Sequence, residues 1–139
     1  MANFDVYYPK LMKSEGGYVF DKDDLGGETY KGISRKYNPN WVGWKKIDEY
    51  KKKYPNDFKI KIENDKELND SCKRLFKEGY WDIFDADDFN SQRVAEIIVD
   101  TCVNCGQSAA IRMAYRVLGL KESYKWTLEL HNKLVAIKD

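Results

Sequence analysis

Glu15, Asp24 and Thr29 fall within one short stretch, EGGYVFDKDDLGGETYKGIS over residues 15–34. A protonated carboxylic acid that gives its proton to a leaving oxygen, paired with an ionised carboxylate that activates water or attacks the sugar, is the machinery of glycosidic bond hydrolysis. Glu15, flanked by Gly16, Gly17 and Tyr18, is the candidate acid, because partial desolvation favours its protonated form. Asp24 sits in an acidic turn with Asp21 and Asp23, where water keeps a carboxylate ionised. Thr29 is placed to orient the water. Gly26 and Gly27 leave backbone open to a bulky polysaccharide and permit the positive φ angles of a tight turn. Tyr18 is the nearest aromatic candidate for sugar contact.

The elements that position these groups are legible in the spacing. Phe4, Tyr7, Tyr8, Leu11 and Met12 recur at helical period, so the pattern predicts a helix that delivers Glu15 at its end, where the glycine pair stops it. Tyr18 to Phe20 reads as a strand, Asp21 to Gly27 as a polar turn, and Thr29 to Ile33 as the returning strand. Further on, Asn64 and Glu67 form a capping-box pattern for a helix through Leu68, Cys72, Leu75 and Phe76, which Gly79 is expected to end. Apolar stripes predict a helix from about Ser91 to Cys105, a break over 104–108, and another helix through Ile111, Ala114 and Leu118. The segment from Asn38 to Trp44 is too rich in turn residues for regular structure. Its Trp41 and Trp44 offer flat rings suited to pyranose faces, and Asn104 is placed either to meet an N-acetyl group or to cap its own turn. The fold class expected is mainly α, a small lysozyme-like helical domain with a short β-hairpin carrying the site.

The sequence E-G-G-Y, an acidic turn, D-x-G-G-x-T and then G-I-S resembles the signature of glycoside hydrolase family 108, the N-acetylmuramidases of secretion-activator and phage-endolysin type. Tyr80-Trp81-Asp82 and the stretch IVDTCVNCGQSAAIRMAYRVLGL resemble the predicted peptidoglycan-binding half of that family. The resemblance implies cleavage of the β-1,4 bond between N-acetylmuramic acid and N-acetylglucosamine, with Glu15 in the place of the catalytic glutamate. The order of Glu15, Asp24 and Thr29 is also similar to the constellation of phage-type lysozymes. After Leu118-Gly119-Leu120 the chain departs from the family's Asp-Gly turn and carries Lys121 to Thr127 instead. The implied organisation is one compact domain over 1–139, with a hydrolase half over 1–90 and a helical wall-binding half over 91–139.

Composition bounds the alternatives. The chain has 139 residues, 42% of them hydrophobic, enough to bury a core. Its 24 basic and 23 acidic residues leave a net charge of +1, so no global field draws nucleic acid. The lysines at 51–53 and 59–61 are locally positive and read as a solvated face or a contact with an anionic wall polymer. No apolar run reaches membrane-spanning length, and the N-terminus lacks a basic and apolar leader. Synthesis in the cytoplasm and action on the bacterial wall as a monomer are therefore expected, with delivery by a holin, a lysis event or a dedicated export route, all three of which fit a phage or prophage origin. Cys102 and Cys105 spell C-x-x-C in a helical context that does not suit redox chemistry. Zinc lacks ligands, and the acidic turn fails as a calcium loop because Leu25 and Gly32 occupy ligand positions. Peptidoglycan is the expected partner, and no cofactor is expected. A non-catalytic wall-binding or secretion-accessory module and a lytic transglycosylase are the competing readings.

Overall fold

The computed structural model describes residues 1–21, 23 and 27–139; the positions assigned above to Asp24 and Gly26 lie outside the described residues. Among the described residues the chain forms seven α-helices and one small sheet. In order these are α1 (Phe4–Ser14), β1 (Tyr18–Phe20), β2 (Glu28–Tyr30), β3 (Ile33–Ser34), α2 (Gly43–Lys53), α3 (Phe58–Glu63), α4 (Lys66–Phe76), α5 (Gln92–Cys105), α6 (Gln107–Val117) and α7 (Leu128–Val135). The mainly helical, lysozyme-like class expected from the sequence is what the chain adopts.

Local chemistry accounts for most of the helix starts. Asn3 Oδ1 accepts from the Asp5 amide (2.8 Å), Ser91 Oγ from Val94 (3.0 Å) and Thr127 Oγ1 from Leu130 (3.2 Å). Each satisfies a donor that the first helical turn leaves open. At α4 the capping residue is Asp65, whose Oδ1 accepts from Leu68 N at 2.9 Å. Asn64, expected as the cap, instead terminates α3. Gly79 does not end α4 either. The chain continues through a five-residue π-helical turn, Lys77–Trp81, and two 3₁₀ turns up to Asp88. The physical reason is Trp81, fully buried with its ring 5.6 Å from Phe4 and 5.9 Å from Tyr7 and its Nε1 donating to Asp87 at 2.8 Å. Burying that ring outweighs the weak preference of glycine against helix.

Two helices were not legible. The segment from Asn38 to Trp44, expected to be irregular, is so only as far as Val42, since α2 begins at Gly43, and α3 follows after Pro55. Their lysine-rich surfaces mask narrow apolar stripes, in which Trp44, Ile47 and Ile62 are buried. The chain folds as two compact units, one of Met1–Tyr8 with Phe76–Asp139 and the other of Pro9–Leu75. The first unit thus takes in residues 1–8 and 76–90 as well as 91–139. The first unit buries Phe4, Trp81, Phe84, Phe89, Ile98, Val99 and Leu130. The second buries Leu11, Tyr30, Ile33, Trp44, Ile47, Ile62 and Leu68.

The sheet lies wholly in the second unit and is antiparallel in the order β1-β2-β3. The single returning strand expected over 29–33 is split in two. Lys31 (φ 47°) and Gly32 (φ 86°) form a two-residue turn with both central residues at positive φ, the geometry whose twist suits adjacent antiparallel strands. Tyr30 therefore pairs with Ile33, and Thr29 with Ser34 on one side and Val19 on the other.

Candidate active site

Alternation along β2 sorts the site. Glu28 and Tyr30 are buried, while Thr29 between them is half-buried and shares its face with Val19 and Ser34. Tyr30, on the packed face, donates its hydroxyl to Asn69 Oδ1 at 2.7 Å, with the Ile62 carbonyl at 3.2 Å. One face of the sheet is thus locked to the helices of the unit, and the other presents the Thr29 hydroxyl.

Glu15 follows directly on α1, its amide still donating to Leu11 O at 3.0 Å. Its half-buried carboxylate lies against Gly32 of the β2–β3 turn. A Cβ at Gly32 would stand 2.8 Å from Glu15 Oε2 and 2.9 Å from Cδ. A side chain there would have to push the end of Glu15 aside, and the positive φ separately favours glycine. Lys31 N donates to Gly17 O at 3.1 Å, which ties the turn to the segment just after Glu15. Among the described residues no side chain donates a hydrogen bond to the Glu15 carboxylate and no cation pairs with it. Its oxygens are therefore open to a ligand. Substituting alanine at Gly32 is expected to displace the Glu15 carboxylate and to lower turnover by about tenfold or more, since small misplacements of a catalytic group cost on that order. The strained φ should also lower stability by about 1 kcal/mol. Steady-state kinetics on purified glycan and a melting curve of the variant check both.

Two carboxylates of this unit escaped the sequence reading. Glu63, at the end of α3, lies against Gly17, where a Cβ would meet its Oε1 at 2.6 Å, and it pairs with Lys31 Nζ at 3.5 Å. Glu28 is more enclosed, its side chain 5% exposed. It accepts from Lys51 Nζ (2.7 Å), from Arg35 Nη1 (2.9 Å) and from the Tyr18 hydroxyl. Arg35 in turn grips Asp48 in a bidentate pair at 2.8 and 2.7 Å. Burial pushes the Glu28 carboxyl up, but the hydrogen bonds from Lys51, Tyr18 and Arg35 outweigh it and hold the group below the usual glutamate range. Held this firmly as an anion, Glu28 is unsuited to give or take protons and serves to fasten β1, β2 and the chain after β3 to α2. The signal that could have found it is the period of two about Thr29, which puts Glu28 on the packed face.

The remaining expected site residues have these places. Tyr18 is directed to the packed side: its hydroxyl serves Glu28, and its ring meets Phe58 edge-on at 5.0 Å. Gly27 adopts φ 63°, a positive value that glycine takes without strain. Trp44 is 2% exposed, with Nε1 on Asn38 O at 2.8 Å. It is a core residue that borders the depression walled by Trp41. Trp41 is half-buried and stacked on Tyr30, with centroids 6.3 Å apart. It walls an open depression of about 560 Å³ together with Pro39, Asn40 and Val42. Asn104 is exposed in the other unit, and its amide donates back to Asp100 O at 2.9 Å within α5. Cys72, Cys102 and Cys105 are free thiols, and burial pushes the Cys102 thiol up to about 11. No helix among the described residues is long and apolar enough to cross a membrane.

The fold is similar to that of SagA from Brucella abortus, with a TM-score of 0.64 and 20% sequence identity over 96% of this chain and 69% of that one. The sequence matches no curated protein. The sequence profile of glycosyl hydrolase 108 matches residues 8–106, a span that takes in the end of α1, the whole sheet, and α2 to α5. Since that match covers well over half of the chain and includes the glutamate, the glycine turn and the threonine strand described above, the protein belongs to the glycosyl hydrolase 108 family.

Proposed function

We propose that this glycoside hydrolase family member is a peptidoglycan hydrolase of the N-acetylmuramidase type, cleaving the β-1,4 bond between N-acetylmuramic acid and N-acetylglucosamine. The observation that carries the reading is the Glu15 carboxylate, delivered by α1 onto the Gly32 turn and free of any described cation. In this reading Glu15 protonates the glycosidic oxygen, Asp24 supplies the second carboxylate, and Thr29 orients the water from the open face of β2. Asp24 enters on the sequence pattern alone. Glu28 is not a substitute for it, because its oxygens are already taken by three donors. Trp41 and the depression beside it offer apolar surface for a pyranose ring, and the segment over 91–139 is assigned to wall binding on the strength of its family resemblance.

Mass spectrometry of the soluble products from purified peptidoglycan tests the assignment. Reducing muramic ends are expected. Anhydro ends would replace hydrolysis by transglycosylation, and absence of soluble fragments would leave a binding module. In the same assay Asp24→Asn should lose about 10²-fold or more in rate and Thr29→Ala distinctly less, since a charge that activates water outweighs a hydroxyl that only orients it. Equal losses in the two variants would contradict these roles.

A further inference from the structure

The second unit carries a concentration of positive charge that the catalytic reading does not use. Between Gly43 and Lys61 there are seven lysines against three acidic residues, in a chain whose net charge is +1. Lys46 is taken by Asp65 and Glu67, and Lys51 by Glu28. Lys52, Lys53, Lys59 and Lys61 have no carboxylate partner among the described residues. Lysines at the end of α2 do complement its dipole, but that explains only the last turn of one helix. Lys59 and Lys61 lie on α3, which packs against α2.

These cations alternate with aromatic rings. Tyr54 is bracketed by Lys61 Nζ at 4.3 Å and Lys53 Nζ at 5.4 Å from its centroid, and Lys59 Nζ stands 6.0 Å from the Tyr18 ring. The track runs from the end of α2 over α3 to β1. Tyr18 belongs to the packed side of the sheet, opposite the face that presents Thr29. A ligand on Lys53, Lys59 and Lys61 would therefore not compete with a glycan on the Thr29 face, whereas Lys52 borders the depression beside Trp41 and is left out of the track.

We infer that this lysine and tyrosine track is a docking surface for a linear phosphodiester polymer joined to the cell wall. Ammonium groups set along two adjacent helices can each take one charge of such a chain, and the rings they stand over hold them in place. Release of counterions from the polymer drives such binding and makes it strongly salt-dependent. The inference rests on the peptidoglycan reading for where the polymer is found, since a polyanion tethered to the glycan would hold the hydrolase beside its substrate.

The test measures binding and turnover separately. Wild type and a variant with Lys53, Lys59 and Lys61 each changed to glutamine, Lys52 being left in place because it borders the depression beside Trp41, are titrated with purified polyglycerol phosphate across a salt series. Both are then sedimented with whole walls and with walls stripped of phosphate polymer by hydrofluoric acid. Wild type is expected to bind the polymer and to prefer intact walls. The variant should bind about tenfold or more weakly, with a salt slope shallower by about 0.7 per lost phosphate contact, the value for flexible polyanions. Its turnover of soluble glycan fragments should match wild type. Equal sedimentation with stripped walls, unchanged polymer binding by the variant, or tighter binding to phosphatidylglycerol vesicles than to the polymer would overturn the inference. Absence of glycan turnover in the wild type would instead defeat the hydrolase reading, whatever the binding result.

Discussion

Glu15→Gln is expected to abolish peptidoglycan turnover, by about 10²-fold or more, while leaving the protein folded and as stable as wild type. The amide has the shape of the carboxylic acid and fits the same space over Gly32. It cannot transfer a proton to the leaving oxygen, and the lost contribution is that of a general acid. Because no described side chain bonds to the Glu15 carboxylate, the substitution breaks no internal contact, so melting temperature should not move. Rates on purified peptidoglycan, with circular dichroism and a thermal melt as controls, provide the measurement. A folded Glu15→Gln protein with wild-type rate would remove Glu15 from the mechanism. Gly32→Ala is the companion, since it leaves the acid in the chain and moves it.

The second large effect is on stability. Truncating Glu28 to alanine should cost about 3 kcal/mol, the lower end of the range for breaking a buried ion pair, because it strands Lys51 and opens one side of Arg35. The lower end applies since both cations retain a path to water, their side chains being 32% and 37% exposed, and Arg35 keeps Asp48. The same clasp sets the acid response. Burial raises the Glu28 carboxyl but the donors around it lower it further; Asp48 is lowered chiefly by Arg35. A carboxylate whose folded pKa lies below its unfolded value adds stability that is fully present above the unfolded pKa and is lost as pH falls through the folded one. Stability should therefore hold above about pH 5 and decline through about pH 4 and below. Glu28→Gln keeps much of the shape and should flatten this decline without removing it, since Asp48 still titrates. Urea unfolding followed from pH 7 to pH 3 in both proteins measures the slopes. An identical acid slope in Glu28→Gln would show that the acid sensitivity arises elsewhere.

Local chemistry wrote the parts of this protein that depend on near neighbours. The period of Phe4, Tyr7 and Leu11, the Ser91 cap, the break near Gly106 and the strand from Tyr18 to Phe20 are all legible, because caps, turns and apolar stripes act within a few residues. So was the candidate acid, through its glycine neighbours and the motif after it. Tertiary packing decided the rest. Buried Trp81 carried the chain past Gly79. Asp65 displaced Asn64 as the cap by offering its oxygen to Leu68 at the right point. Trp44 went into the core beneath Arg35, and Tyr18 turned to Glu28. Nothing local announces that Glu28 accepts from Lys51, 23 positions away, or that the side chains of Glu63 and Glu15 lie over Gly17 and Gly32. Contacts between distant residues depend on how helices and sheet are brought together, and the sum of many weak burial terms makes that choice, which no single stretch of sequence contains.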